Sequence, residues 1–403
     1  MQKLIAAVVV LGLAVTQAIR AADWPWFRGP EHDGVSAESG LLAKWPEGGP
    51  KVLWRTPLGK GYSGISVSRG RLYTMFDDGD RTFVGCFDAA TGKPIWRSAA
   101  GRAFSDSQGD GPRSTPTVDG SVVYALTAHG VLHALGTEEG NVLWERDLEE
   151  SFGTKVPQWG MSGSPVVAGG LLLLEAGGSG ALMVALNKSN GREVWRSGSG
   201  KAGYSTPLVI EVNGVEQAVF FTAKSVYSVA VKSGAVYWEI PWKTSYDVNA
   251  AMPVFVPPDR VFISSGYDVG AAMFRIAGDA DAMKATELWR NREMKNQFST
   301  SIHSNGHLYG FDDKTLKCID AATGETKWRQ RDLGHGSLIH ADGRLIVLGD
   351  RGRLVLVEAT PEAFRESGRM QIFEGKTWTA PSLSGGKLYL RDEHELVAID
   401  VSS

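Results

Sequence analysis

The sequence predicts an all-β fold, an eight-bladed β-propeller of four-stranded antiparallel blades, and three observations predict it. A tryptophan recurs at Trp54, Trp96, Trp144, Trp195, Trp238, Trp289 and Trp328, at spacings of 39 to 51 residues. A glycine stands four positions before most of them, at Gly92, Gly140, Gly191, Gly234 and Gly324. Each interval holds four short β-type runs and no sustained helical period, which at this spacing means propeller blades and excludes helical repeats.

Taken in chain order, residues 1–22 read as a secretory signal peptide. Lys3 supplies the positive start, Leu4–Ala14 the apolar stretch and Ala18–Ala22 the small residues of a cleavage zone. The apolar run is too short to span a bilayer, and no cysteine follows it to carry a lipid. Residues 23–403 are then expected to form a single propeller domain, periplasmic or secreted, monomeric and without a transmembrane segment.

Val52-Leu53-Trp54 is a tryptophan strand with no strands of its own before it. The last repeat, residues 377–399, has three strands and no fourth. Pairing the two closes the ring and removes two open sheet edges. Seven blades come from one stretch each and one blade is shared, which makes eight. Seven is the fallback, because residues 350–369 lack the Asp/Gly/Trp turn; Phe373 continues the aromatic series 45 residues after Trp328.

Two hairpins alternate in each repeat. One is Asp88-Ala-Ala-Thr-Gly-Lys-Pro-Ile-Trp96, echoed at Asn187–Trp195 and Asp320–Trp328. Asp or Asn opens such a turn through its own backbone, and Gly supplies the positive φ that closes it. The other hairpin follows a Ser-x-Pro-type strand, as in Ser114-Thr-Pro-Thr-Val-Asp-Gly. Pro is tolerated there because its missing N–H lies at a strand edge. Each tryptophan is expected to fill the widening gap between blades. Residues 361–367 hold one helical turn at most.

The formal charge of −3 offers no basic field for nucleic acid. The two cysteines, Cys86 and Cys318, occupy the same place in blades 1 and 6 and read as separate buried residues. The Gly198–Gly203 stretch matches Gly-x-Gly-x-x-Gly but links two strands, so it reads as a loop. The pairs His129/His133 and His303/His307 sit in strand-turn-strand contexts and are not expected to bind metal. The acidic loops at Asp77–Asp80 and Asp106–Asp110 read as solvated turns. No metal site is expected.

The motif Asp-Ala-x-Thr-Gly-(Lys or Glu)-x-x-Trp at Asp88–Trp96 and Asp320–Trp328 resembles the repeat of the pyrroloquinoline-quinone (PQQ) propeller family. The resemblance covers most of residues 52–400. The opening Asp23-Trp-Pro-Trp-Phe-Arg-Gly-Pro is similar to the start of exported PQQ-like repeat proteins. The family includes quinoprotein dehydrogenases and non-enzymatic relatives, among them the propeller subunit of the outer-membrane protein assembly machinery. The resemblance therefore implies two functions. One is a non-catalytic interaction scaffold with an envelope protein or glycan as partner. The other is a PQQ- and Ca-dependent dehydrogenase of alcohols or sugars, with its site in the central funnel. The chain has no adjacent cysteine pair and no Cys-x-x-Cys-His, which favours the scaffold.

Aligning the repeats on the Ser-x-Pro strand puts Tyr62, Arg113, Met161, Tyr204, Asn249, Phe298, Gly336 and Trp378 at the funnel mouth, with Trp159 and His335 nearby. Arg113, Trp159, Tyr204, Asn249 and Trp378 are the candidate cofactor-binding residues, and Arg113 is the candidate partner of a PQQ carboxylate. Asp247 is the candidate catalytic base. Trp24-Pro-Trp-Phe and Pro157-Gln-Trp-Gly are aromatic loops that either present a docking surface or pack on the protein itself.

Overall fold

A computed structural model describes residues 22–403, so the expected signal peptide falls almost wholly outside the described residues. Eight antiparallel sheets surround one axis. In blade 1 the strands are Ser66–Ser68, Arg71–Asp78, Arg81–Asp88 and Pro94–Arg102, from the axis outward. Blades 2 to 7 repeat this order within one stretch of chain each, and their inner strands begin at Thr117, Val166, Leu208, Val254, Ile302 and Gly336. Blade 8 takes Ser382–Ser384, Lys387–Arg391 and Glu395–Asp400 from the C-terminus and Lys51–Pro57 from the N-terminus. Trp54 pairs with Ala398 and Thr56 with Leu396. The ring closes as the repeat count requires, and the weakly patterned blade 7 is complete.

The blade tryptophans join one blade to the next through two contacts. The indole N–H of Trp96 donates to Thr137 O at 2.9 Å, and that of Trp195 to Val231 O at 2.8 Å. Trp54, Trp144, Trp289 and Trp328 do the same with Ala89, Lys188, Ala321 and Thr360. The ring then lies on the turn glycine of the following blade: Trp54 on Gly92, Trp96 on Gly140, Trp144 on Gly191. At these positions any side chain would collide with the indole. Trp238 differs, and donates to Gln217 Oε1 within its own blade. The next blade turns there through Gly278–Met283, without the Asp-x-x-x-Gly motif.

Blade 7 corrects one expectation. Phe373 is buried but lies beyond the outer strand Glu366–Gln371. The strand register puts Gly368 opposite Leu356, where the other blades place their tryptophan. Trp45, from the N-terminal segment and only 4% exposed, packs directly on Gly368 and bonds Ser367 O through its backbone N–H. An aromatic ring thus fills the gap from a different part of the chain.

Local structure departs from expectation at two more places. Residues 361–365 form no helix, within the expected limit of one turn, but Leu148–Phe152 forms a short helix after blade 2 where none was expected. Asp147 caps it by accepting from the N–H groups of Glu149 and Glu150, and Gly153 ends it in the left-handed conformation. Five residues are too few to show a helical period. In the acidic Asp77–Asp80 loop, Asp77 is buried and accepts from Thr82 Oγ1 at 2.6 Å and Phe104 N at 2.8 Å. It fastens the link to the next blade and is not a solvated turn. Cys86 and Cys318 are buried free thiols, both pushed up to about 12 by burial.

Candidate functional site: a central cavity closed at one end

The inner strands enter the ring at one face and end at the other. Where they end, the N-terminal segment runs across the axis. Trp24 bridges Val67 of blade 1 through two backbone bonds of 2.9 and 2.8 Å. Pro25 O accepts from Val118 N of blade 2, and Trp26 Nε1 donates to Val118 O at 2.8 Å. Arg28 then reaches the opposite side and donates to Thr300 O and Ser301 O beside blade 6, at 3.1 and 2.9 Å. Val35–Ser36 adds a parallel strand to His340–Ala341 of blade 7. Blades 2 and 6 face each other in an eight-membered ring, so residues 24–28 lie across the channel. The Trp24-Pro-Trp-Phe motif packs on its own protein and forms a floor.

The floor segment is itself locked. His32 stacks on Trp26 with ring centroids 5.0 Å apart, and its Nδ1–H donates to Phe27 O at 3.0 Å. Burial, opposed by the Phe27 bond and aided by nearby Arg28, lowers the His32 pKa to about 4. The ring is therefore neutral at pH 7. Burial likewise brings Arg28 down to about 10, with Asp33 opposing. Its terminal nitrogens are engaged by three backbone carbonyls, including Asp33 O at 2.6 Å.

Above the floor is a cavity of about 400 Å3. Its mouth carries two aromatic arcs. Tyr62 and Trp378 meet at 5.2 Å, Trp378 and Phe298 at 5.2 Å, and Phe298 and His335 at 5.8 Å. Facing them, Trp159 meets Tyr204 at 5.8 Å and Tyr246 at 6.3 Å, and Tyr246 meets Tyr267 at 6.1 Å. Gln108, Gln297, Ser162 and Thr206 supply hydrogen-bonding groups on the same wall.

The charges at the mouth are engaged among themselves. Arg113 pairs with Asp106 at 2.6 Å and donates to Gly109 O and Gly111 O, both at 2.9 Å. Burial lowers its pKa and Asp106 opposes the shift. The Tyr62 hydroxyl donates to Glu393 at 2.7 Å; burial first, and that carboxylate second, push its pKa up. Lys376 Nζ donates to Gln108 O at 2.7 Å and sits 4.3 Å over the Trp378 ring. His335 lies between Asp313 and Asp350, at 2.8 and 3.5 Å. Burial pushes the Tyr204 hydroxyl up to about 12.

Of the sequence candidates, Arg113, Trp159, Tyr204 and Trp378 line this cavity, together with Tyr62, Phe298 and His335. Asn249 does not. It is fully buried and spends its amide on Thr222 O, Ala223 O and Trp242 O, while its oxygen accepts from Ser265. Met161 is core and Gly336 abuts Phe311. Asp247 lies on the turn Ser245–Asp247, where its carboxylate meets Lys201 at 3.3 Å, off the cavity wall. The Arg113 guanidinium is held by Asp106 and two carbonyls, so a quinone carboxylate would have to compete with an ion pair already in place. Gln108, Lys376, Tyr246 and Tyr267 went unnoticed in the sequence: the first three lie in links of unrepeated length between blades, and Tyr267 in the turn between the second and third strands of blade 5.

The cavity wall carries no aspartate or glutamate. Ca2+ takes six to eight oxygens, several of them from carboxylates. Among the described residues no group of three His, Cys, Asp or Glu side chains is placed to hold a metal ion. The donor set does not fit a Ca2+–quinone pair.

The profile of the family described as outer membrane protein assembly factor BamB matches residues 80–330 and 312–403. The chain belongs to that family. Curated relatives of that name include one from Shewanella oneidensis, 25% identical over 73% of this chain and 70% of its own. Another, from Yersinia pestis, is 24% identical over 85% of this chain and 86% of its own. Among solved structures, BamB from Moraxella catarrhalis superposes with a TM-score of 0.65 at 14% identity, covering 87% of this chain and 99% of that one. Quinohemoprotein alcohol dehydrogenase from Comamonas testosteroni superposes at 0.67 with 12% identity, covering 96% of this chain and 82% of that one. At these identities the superpositions carry the fold alone. Among the described residues no helix is long and apolar enough to cross a membrane.

Proposed function

We propose that this protein is a non-catalytic scaffold of the cell envelope, exported through residues 1–22 and working as one propeller domain, residues 23–403, in the periplasm. The observation that carries this reading is the family match, whose curated relatives are named as assembly factors of outer membrane proteins. The outer edge of the ring supports it. The residue before the blade tryptophan is an exposed aliphatic in blades 1, 2, 3 and 5: Ile95, Leu143, Val194 and Leu288, between 39% and 50% exposed. These residues sit on edge strands with unpaired backbone groups, a surface suited to an envelope protein partner. The dehydrogenase alternative has no such support, since the cavity wall carries no carboxylate for its metal.

The test is photo-crosslinking in the source cells from residues replacing Leu143 and Val194, with Asn305 as an exposed control at a turn. The rim positions should capture the same envelope protein reproducibly, and Asn305 should not. Rim capture no different from the control would remove the scaffold reading.

A further inference from the structure

We propose that the closed central cavity binds an uncharged saccharide through its aromatic mouth. This goes beyond the rim scaffold and does not depend on it. The cavity has one entrance, because residues Trp24–Arg28 close the other end with bonds to blades 1, 2 and 6. A ligand site is concave, apolar and marked by a few polar groups, with volumes from about 300 Å3 upward. This one, at about 400 Å3, admits a ligand of one or two sugar rings.

The aromatic residues at the mouth do not serve the fold as the blade tryptophans do. Six of the seven blade tryptophans are tethered through the indole N–H to the next blade, whereas the Trp159 N–H has no partner. Trp159 is positioned for its face. Tyr246 is 72% exposed and Tyr267 39%, so neither is held in place by core burial. Both have positive φ, 64° and 56°, as do Asp247 and Asp268 after them. Non-glycine residues rarely adopt that region, and such strain persists where the surroundings enforce it, often at ligand sites. Two strained links thus carry aromatic rings to the rim of a closed cavity.

Charge selects the ligand class. A cationic ligand would compete with Lys376, whose ammonium already occupies the faces of Trp378 and Tyr62 at 4.3 and 5.6 Å. An anionic ligand would have to displace Asp106 from Arg113, a pair whose side chains are only 12% and 10% exposed. The free groups are aromatic faces such as that of Trp159 and the amides of Gln108 and Gln297. A pyranose ring presents an apolar C–H face to such rings and neutral hydroxyls, both donors and acceptors, to such amides.

The experiment is titration of the full chain with neutral pyranoses, N-acetylhexosamines and their disaccharides, followed by tryptophan fluorescence and calorimetry. Glucuronate and tetramethylammonium are the charged probes. A neutral saccharide should saturate, and Trp159→Ala should weaken it about tenfold, the effect of losing one well-stacked ring. Tyr246→Ala should weaken it with no change in melting temperature, because that ring is exposed; this variant separates binding from folding. Saturation by no neutral saccharide, equal binding in Tyr246→Ala and Trp159→Ala, or tighter binding of either charged probe would overturn the proposal. Rim crosslinking in the Trp159→Ala protein reports separately on the scaffold, so either reading can fail alone.

Discussion

Gly120 and Gly140 lie in the same blade and both have positive φ, 60° and 71°. They differ in what surrounds them. A Cβ at Gly120 meets nothing within 4 Å, whereas one at Gly140 runs into the six-membered ring of Trp96. Gly120→Ala should therefore cost only the backbone penalty, about 1 kcal/mol. Gly140→Ala adds overpacking against a ring that is pinned by its bond to Thr137 O, about 2 kcal/mol more. The expected totals are about 1 and about 3 kcal/mol, a difference of roughly thirtyfold in the unfolding constant. Urea unfolding followed by far-ultraviolet circular dichroism measures both. A double-mutant cycle sharpens the test: with Trp96→Ala in place, Gly140→Ala should cost only about 1 kcal/mol, because the clash is gone. Equal costs at the two glycines, or no coupling to Trp96, would refute the claim that indole-on-glycine contacts join the blades.

Acid should loosen the cavity floor. His32 is held at about 4 against 6.5 unfolded, so the unfolded state takes up its proton first as pH falls. Stability present above pH 6.5 is lost between there and about pH 4, up to about 3 kcal/mol. His133, His303 and His340 are lowered by burial as well. The readout is therefore the difference in pH slope between the native protein and His32→Phe, and identical slopes would remove the assignment. Glu175 has the opposite sign. Burial raises its pKa well above 4.5, and Gly203 N, bonding it at 2.7 Å, only partly offsets this. Its contribution is intact below pH 4.5 and falls as pH rises toward the folded pKa. Glu175→Gln should flatten that decline; an unchanged profile in chemical denaturation would count against it. PQQ with Ca2+ should leave the melting temperature unchanged, because a ligand that binds only the folded form must raise it. A saturable rise would show that the cavity accepts the quinone after all.

Much of the fold is legible in the sequence because its signals are local. Asp88–Trp96 encodes a turn and a strand within nine residues, and its recurrence counts the blades. The strand at Val52–Trp54 and the short last repeat announce each other because an unpaired strand edge is costly. The site is only partly legible. Tyr62, Arg113, Tyr204, Phe298 and Trp378 could be placed because they hold one offset from a repeated strand. Asn249 stands one residue further out, five before the strand at Val254 where the others stand four before theirs, and Ala250, at the shared offset, lines the cavity. A shift of one residue exchanges a channel-facing side chain for a core one.

What the sequence determined alone was the blade, its turns and the eightfold count, which rest on patterns recurring about every 45 residues, and the shared last sheet, which rests on the two incomplete repeats at Val52–Trp54 and residues 377–399. The tertiary structure decided which parts of the chain meet. It set each turn glycine under the tryptophan of the preceding blade, brought Trp45 onto Gly368, and carried Trp24–Arg28 across the axis. Those contacts join residues from tens to hundreds of positions apart. They depend on side-chain packing between blades and on the path of the N-terminal segment across the axis, which no period in the sequence records.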